Sequence, residues 1–321
     1  MSGNGPILLF GGSGMVGHNV LDLAAKRGVE IVAPRHDEVD LLDGNAVLAA
    51  IRRIHPSLVI HTAGRVGGIQ ANMTFPVAFL TENWSMGSNV ILAARTAGVR
   101  RLINLGSSCM YPKDRESALR EEDLLSGALE PTNEAYAIAK SAVQRLAAYV
   151  SAEDRSFAYK TLVPCNVYGR YDAYEPSRSH LAAAVIQKLD QAVQSRAPSV
   201  DIWGDGTARR EFVYAGDVAD AILTAIERFD TLPAVMNVGP GVDHMVNEYY
   251  EIAAEVVGYR GEFTHDLSKP VGMKRKVLDV SLARQWGWQA RTTLREGLAA
   301  AYDYYRTVAS RFRLPGSMKS A

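Results

Sequence analysis

Residues 7–27, ILLFGGSGMVGHNVLDLAAKR, carry the clearest indication of the fold of this chain. Four apolar residues lead into a glycine-rich turn, and apolar residues at helical spacing follow it. Glycine lets the backbone turn tightly and approach a pyrophosphate, which binds at the free N–H groups of the helix start. We therefore expect a dinucleotide at this turn, contacted by Gly11, Gly12, Ser13, Gly14, Met15, Val16 and Gly17.

Apolar strands and helical stretches alternate through the first half of the chain. We predict strands at 7–10, 29–33, 57–63, 101–107 and 161–169, and helices at 16–27, 45–54, 82–97 and 134–151. This alternation predicts an α/β fold, a Rossmann-like doubly wound parallel sheet covered by helices on both faces.

The alternation breaks after residue 170, where we predict helices at 181–195, 215–229 and 294–308 and a strand at 200–203. We expect a dinucleotide-binding domain over residues 1–170, to which later segments at about 205–240 also belong. Residues 171–321 mainly form a smaller C-terminal substrate-binding lobe.

The composition excludes several classes of protein. Lys plus Arg and Asp plus Glu number 35 each, which argues against nucleic acid as a partner, because phosphate binding leaves a basic excess. The sequence has no apolar run of about 18 residues and no basic N-terminal signal segment, so we expect no membrane span and a cytoplasmic location. Two cysteines, Cys109 and Cys165, argue against a disulfide scaffold, and the histidines show no ligand spacing, so we propose no metal.

Three polar residues have the types and spacing that proton transfer needs. Tyr136 and Lys140 are four residues apart on a predicted helix and share a face, while Ser107 ends a predicted strand. Lowering the tyrosine pKa by about 3 units requires about 4 kcal/mol, which one cation about 4 Å away supplies at an effective dielectric near 20. We expect Lys140 to lower the pKa of Tyr136, and Ser107 to bind the same substrate oxygen as the tyrosine.

The end of the second strand bears on the choice of cofactor. A carboxylate there would bind a ribose diol and repel a 2′-phosphate. Here the strand ends Ala33-Pro34-Arg35-His36, so we expect Arg35 to face the 2′-phosphate of NADP(H). The competing interpretation is an exposed arginine without a ligand.

The glycine turn, the serine and the YxxxK pair resemble the extended short-chain dehydrogenase/reductases, and further motifs resemble the GDP-L-fucose synthase family. These motifs are RVGGIQANMTFP (65–76), LGSSCMYP (105–112), LEPTNEAYAIAK (129–140), VYGRYDAYEPSRSH (167–180), WGDGTARREFVYAGDVA (203–219) and SKPVGMKRKVLDVS (268–281). The resemblance runs from about residue 7 to residue 305. It implies NADPH-dependent 3,5-epimerisation and 4-reduction of GDP-4-keto-6-deoxy-D-mannose to GDP-L-fucose.

The resemblance also assigns roles to residues. The acid and base of the family's epimerisation correspond to Cys109 and His180, and Ser107, Tyr136 and Lys140 complete the catalytic set. A thiol and an imidazole have ordinary pKa values near 8.5 and 6.5, close to working pH. We expect Cys165 to pack rather than to react.

Further binding residues follow from the same local matching. For the cofactor they are His36, Asp40, Leu41, Ala63, Gly64, Leu105, Gly106, Pro164, Asn166, Val167 and His180, besides the turn, Arg35, Tyr136 and Lys140. For the GDP-sugar they are Ser108, Lys188, Trp203, Arg210 and Asp279. Lys188 stands where arginine is more usual in the family, and Ser13 and His36 stand where relatives often have a cation.

Alternatives remain open at this point. A GDP-L-colitose synthase, which inverts only C5 of a 3-deoxy substrate, needs the same acid and base. A UDP-galactose-type 4-epimerase needs no Cys–His pair and holds NAD tightly, and a 4,6-dehydratase needs carboxylates where this chain has Ser108 and Cys109. A nucleotide-sensing regulator of this fold would commonly lack the tyrosine or the lysine. Residues 82–97 and 134–151 match the helices through which the superfamily forms homodimers.

Overall fold

The computed structural model describes residues 5–115, 117–175, 179–268 and 274–308. Parts of two quoted motifs, residues 176–178 and 269–273, lie outside this description. The strands are β1 Ile7–Phe10, β2 Ile31–Val32, β3 Leu58–His61, β4 Arg101–Leu105, β5 Ala158–Pro164, β6 Asn166–Tyr168, β7 Ser199–Trp203, β8 Arg209–Arg210, β9 Phe212–Tyr214, β10 Val235–Val238, β11 His244–Met245 and β12 Glu262–Asp266. The α-helices are α1 Met15–Arg27, α2 Gly44–Ile54, α3 Ile69–Thr74, α4 Pro76–Thr96, α5 Glu134–Glu153, α6 Leu181–Ser195, α7 Ala215–Glu227, α8 Val246–Val257, α9 Ser281–Trp286 and α10 Leu294–Val308.

A six-stranded parallel sheet with the order β10-β5-β4-β3-β1-β2 forms the centre of the molecule. Its apolar strands are buried because helices cover both faces. Side chains of α1 and α7 pack on one face, and side chains of α2, α4 and α5 pack on the other. The α/β fold with a Rossmann-like parallel sheet is therefore confirmed.

The strand order reverses at β1, which pairs with β2 on one side and with β3 on the other. Ligands of open parallel sheets bind at the carboxyl edge beside such a reversal. The glycine turn (11–14) follows β1 directly at this edge. The topology thus places the predicted cofactor turn in the position that suits a dinucleotide.

A second hydrophobic cluster lies outside the central sheet. It joins α6, α8 and α10 to the parallel pair β7 and β12, and aromatic side chains such as Tyr174 and Tyr249 fill it. The chain reaches this cluster through β6, which leaves the sheet to pair with β9.

Several elements differ from the sequence prediction. The strand expected at 161–169 is two strands divided at Cys165, because β5 pairs with β10 whereas β6 pairs with β9. Helix α4 begins at Pro76 rather than at residue 82, with proline in the first turn where its missing N–H costs nothing. Strand β10 and helix α8 were not predicted.

Candidate active site

The glycine turn has the shape of a cradle for a diphosphate. A Cβ at Gly17 would lie 2.1 Å from the carbonyl oxygen of Gly11, and one at Gly12 would lie 2.8 Å from the Cβ of Ala33. Gly11 has φ +93°, which favours glycine, and Gly14 begins α1 without a side-chain cap. No acidic residue occupies the first turn of α1. The N–H groups of this turn have no partner within the helix, so the residues present fit an anion.

The other predicted cofactor residues lie along the same edge of the sheet. Ala63 and Gly64 follow β3, Leu105 and Gly106 end β4, and Pro164, Asn166 and Val167 lie where β5 gives way to β6. Asp40 and Leu41 lie between β2 and α2, and the Asp40 carboxylate accepts from the N–H of Leu42 at 2.9 Å. The structure therefore brings these residues to the carboxyl ends of neighbouring strands, while their contacts with a cofactor stay a prediction.

Arg35 is exposed and already has a partner. Its Nε and Nη2 donate to the two carboxylate oxygens of Asp37, at 3.0 and 2.8 Å. This bond and the charge of Asp37 raise the pKa of Arg35. A 2′-phosphate at this position would compete with the carboxylate for the guanidinium.

Ser107 and Tyr136 meet where β4 ends and α5 begins. The Ser107 hydroxyl oxygen accepts from the N–H of Cys109 at 3.2 Å, which starts a short 3-10 turn over Ser108–Met110. Burial raises the pKa of Tyr136, the negative charge of Cys109 raises it further, and a side-chain hydrogen bond with Ser107 lowers it. The pKa shift is opposite to the one expected from the YxxxK spacing, because burial raises the pKa more than the hydrogen bond with Ser107 lowers it. Tyr136 is therefore a neutral hydroxyl, a proton donor rather than a standing base.

Lys140 is buried behind Tyr136, with only 5% of its surface exposed. Its Nζ donates to the carbonyl oxygen of Leu105 at 2.9 Å and lies 5.9 Å from the centre of the Tyr136 ring. Burial lowers the pKa of Lys140 to about 8. The buried ring of His61 nearby has a pKa lowered to about 3, by burial first and then by the charge of Lys140. The imidazole of His61 is thus neutral at working pH and does not compete for the site's protons.

Cys109 and His180, the two residues predicted to move protons at carbon, lie in the 3-10 turn after β4 and at the N-cap of α6. The sulfur of Cys109 accepts a hydrogen bond from Nδ2 of Asn133 at 3.3 Å. The backbone of His180 begins α6, and burial lowers the pKa of its ring. A thiol and an imidazole both exchange protons near neutral pH, and the roles of Cys109 and His180 in proton transfer stay predictions.

A cavity of about 560 Å³ lies beside this cluster, lined by residues between Gly64 and Phe79. A Cβ on Gly64, one of the lining residues, would lie 3.6 Å from Nζ of Lys140. The ring of Phe79, another lining residue, packs edge-on against Tyr136 with centroids 6.3 Å apart. The cavity has the volume of a small-molecule site, and two of its lining residues lie next to the lysine and the tyrosine.

The predicted sugar-nucleotide residues are more dispersed. Trp203 is 57% exposed at the end of β7, and Lys188 on α6 pairs with the carboxylate of Asp201 at 2.8 Å. Burial lowers the pKa of Arg210. The Asp279 carboxylate accepts from Nε of Arg120 at 3.2 Å and from the N–H of Ser281 at 2.8 Å. Ser108 is buried beside Cys109. Their roles toward a substrate stay predictions.

Among the described residues, no group of three or more His, Cys, Asp or Glu side chains is placed to hold a metal ion. No helix in the described ranges is long and apolar enough to cross a membrane.

Comparison with known proteins places the chain in a family. The model of the NAD dependent epimerase/dehydratase family matches residues 7–239. The chain belongs to this family. Family membership fits the strand–turn–helix unit at 7–27 and the parallel sheet built on it.

Two relatives and one solved structure are similar to this chain over nearly its whole length. The chain is 46% identical to a GDP-L-colitose synthase of Yersinia pseudotuberculosis over 299 residues, which is 93% of this chain and 97% of the relative. It is also 46% identical to a GDP-L-fucose synthase of Azorhizobium caulinodans, over 94% of this chain and 96% of the relative. Among solved structures, a GDP-mannoheptose C4 reductase from Campylobacter jejuni with NADP bound has a TM-score of 0.85 and 26% identity, and covers 95% of this chain and 99% of that one.

Two residues near the site were missed by the sequence analysis, Asn133 and Lys276. An asparagine just before a helix is normally interpreted as an N-cap, so the sequence offered no signal that Asn133 contacts sulfur. Lys276 lies within the motif 268–281, but only the structure places its charge close to those of Cys109, Glu130 and Arg210.

Proposed function

We propose that this chain uses NADPH to convert GDP-4-keto-6-deoxy-D-mannose to GDP-L-fucose, by inverting C3 and C5 and then reducing C4. The observation that carries the proposal is the clustering of Cys109 with Ser107, Tyr136 and Lys140 at the end of β4. The Ser–Tyr–Lys set serves reduction of a ketone, and a thiol beside it adds a group for proton transfer at carbon. Relatives that are 46% identical over nearly the whole chain carry the names GDP-L-fucose synthase and GDP-L-colitose synthase.

The epimerisation follows from the acidity of hydrogens next to a ketone. Removal of a proton from C3 or C5 leaves a carbanion that delocalises onto the C4 oxygen as an enolate. Ser107 and Tyr136 donate hydrogen bonds to that oxygen, which stabilises the charge where it develops. Cys109 takes the proton as a thiolate, and His180 in its imidazolium form returns one to the opposite face of the ring, which inverts the centre and leaves a thiol and a neutral imidazole.

The reduction uses the same oxygen-binding groups. C4 would receive its hydride from NADPH held at the glycine turn. Tyr136 delivers its proton to the C4 oxygen, and the ammonium of Lys140 stabilises the tyrosinate that forms. The raised pKa of Tyr136 and the lowered pKa of Lys140 suit this direction, because the tyrosine begins protonated and the lysine is still charged at pH 7.

Conversion of a 3-deoxy substrate to GDP-L-colitose is the second candidate, because the relative with that name is as similar as the fucose synthase. The two activities differ in whether C3 carries a hydroxyl and is inverted. Incubation with NADPH and either keto-sugar, with the product identified by NMR, separates them. Turnover of neither substrate would contradict both candidates.

Epimerisation and reduction can be tested apart. In D₂O without NADPH, the wild type should exchange hydrogen for deuterium at C3 and C5 of the keto-sugar. Cys109→Ala should lose this exchange yet still reduce the unepimerised ketone slowly, giving a D-sugar. Exchange by Cys109→Ala at the wild-type rate at both positions would show that the thiol is not the base.

We also propose that the protein is a homodimer. Helices α4 and α5 pack side by side, and each carries large apolar side chains that are exposed in the single chain: Trp84 and Leu92 on α4, and Ile138 and Tyr149 on α5. A second copy would cover these side chains and form a four-helix bundle. Cytoplasmic location stays a prediction from the sequence.

A further inference from the structure

Asn133 occupies the N-cap position of α5 but does not cap the helix. An asparagine at this position ordinarily accepts a hydrogen bond from an N–H of the first turn, which stabilises the helix. Here the side chain makes no such bond. Its Nδ2 instead donates to the sulfur of Cys109 at 3.3 Å, across 24 residues of sequence. The fold therefore gives up a local stabilising contact and directs the amide to the thiol.

The other end of the same amide is also unusual. The Oδ1 atom of Asn133 is buried and has no hydrogen-bond partner among the described residues. A buried acceptor without a partner is destabilising, and native structures contain few of them. A neutral thiol is both a weak donor and a weak acceptor, whereas a thiolate is a stronger acceptor, so the contact with Nδ2 is strongest when the sulfur is ionised. The arrangement therefore matches the ionised form of the sulfur.

Two lysines interact electrostatically with Cys109. Burial lowers the pKa of both Lys140 and Lys276, and the negative charge of Cys109 opposes that shift in each. Glu130 also raises the pKa of Lys276, while Arg210 lowers it. The backbone on either side of Lys276 is fixed, because Lys274 accepts from the N–H of Arg209 and Val277 accepts from the N–H of Leu119, both at 2.9 Å.

We propose that Asn133 is a positioning residue that holds Cys109 as a thiolate aimed at the substrate, with Lys276 adding favourable charge. The inference rests on the proposed function, since it concerns the base of the epimerisation. The amide N–H fixes the direction of the sulfur lone pairs and stabilises their charge, and no bond is made or broken in this role.

The test is alkylation of the apoenzyme by iodoacetamide at pH 7, which needs neither substrate nor cofactor. Cys109 is partly exposed and Cys165 is buried, so mass spectrometry of the two peptides assigns the reaction. Asn133→Ala should slow alkylation of Cys109 by about tenfold, the factor expected for a hydrogen bond to a charged group. Asn133→Asp should slow it further, because a carboxylate repels a thiolate.

The matched control is Thr132→Ala, whose lost hydroxyl bonds to Glu130 at 3.1 Å rather than to the sulfur. It should alkylate at the wild-type rate. Equal rates for the wild type and both Asn133 variants would overturn the proposal, and so would equal slowing by alanine and aspartate, which would indicate a merely structural effect.

Two further measurements separate the possible failures. If the Asn133 variants do not fold, the thiolate is measured instead as the difference in ultraviolet absorbance between the wild type and Cys109→Ser. Absence of a thiolate band from this difference at pH 7 would overturn the proposal. Slowed alkylation in a protein that turns over no keto-sugar would support the role of Asn133 and contradict the proposed function instead. If the sugar is turned over, Asn133→Ala should lower the rate of deuterium exchange while leaving the KM for NADPH unchanged.

Discussion

Replacement of Lys140 by methionine removes a buried charge and keeps a side chain of similar length. Burial lowers the pKa of this lysine from 10.5 to about 8. The folded protein therefore binds fewer protons than the unfolded chain between pH 8 and pH 10.5, and the free energy of unfolding rises with pH across that window. At roughly 1.4 kcal/mol per pKa unit, the ammonium costs the wild-type fold about 3 kcal/mol at pH 7.

The methionine variant has no such titration. Between pH 7 and pH 9 the free energy of unfolding of the wild type should rise by about 1.4 kcal/mol relative to that of Lys140→Met, which urea unfolding at the two pH values measures. Lys26→Met, in which the lost lysine is exposed near the end of α1, is the control and should show no comparable change. Lys140→Met should also lose reduction, because the tyrosinate has no cation beside it. A difference between wild type and Lys140→Met that stays constant from pH 7 to pH 9 would refute the reasoning.

Two further predictions concern cofactor choice and acid dependence. Exposed ion pairs contribute little to stability, so a 2′-phosphate should displace Asp37 from Arg35. The wild type should then prefer NADPH over NADH by about one to two orders of magnitude in kcat/KM. Arg35→Ala should erase most of that preference while leaving the rate with NADH nearly unchanged, whereas Asp37→Asn should increase the preference for NADPH. Steady-state kinetics with both cofactors measures these effects. Glu211, buried against the N–H groups of Gly241 and Leu278, has a pKa raised from 4.5 to about 7, so its contribution to stability is lost as pH rises through that window. Between pH 5 and pH 8 the wild type should lose roughly 2.5 kcal/mol of unfolding free energy relative to Glu211→Gln. Equal losses for the two proteins, measured by thermal or urea unfolding, would contradict this prediction.

Much of the fold was predictable because its signals are local. The glycine turn at 11–17 and the helical spacing at 181–195 and 294–308 lie within single elements, and the structure has helices at Leu181–Ser195 and Leu294–Val308. Strand β10 was missed because it is four residues long and contains Asn237, which interrupts the apolar pattern. That asparagine is buried because its amide donates to carbonyl oxygens of Leu119 and Asp279 and accepts from the hydroxyl of Tyr111, contacts that the sequence does not reveal.

The site shows the same division between local and long-range information. The four-residue spacing of Tyr136 and Lys140 placed both on one helix face, but the direction of the tyrosine pKa shift depends on burial, which spacing does not determine. The bond from Lys140 to Leu105 and the contact of Asn133 with Cys109 join residues 35 and 24 positions apart. The partner of Arg35, in contrast, is Asp37, only two residues away, and their ion pair was not predicted although both residues are plain in the sequence.

Helix α5 has a consequence for how assembly and ligand binding interact. Its inner face carries Tyr136 and Lys140, and its outer face carries Ile138 and Tyr149. The same helix therefore contributes residues to the cleft and to the surface proposed for the second subunit. A ligand that contacts the inner face of α5 and a second subunit that contacts its outer face both restrict the motion of this helix. When one of them is bound, the other has less of the chain to order on binding. By thermodynamic reciprocity, the factor by which pairing of subunits tightens cofactor binding equals the factor by which the cofactor tightens pairing. Dilution of the protein, which separates the subunits, and depletion of its cofactor would therefore both leave the motion of this helix less restricted.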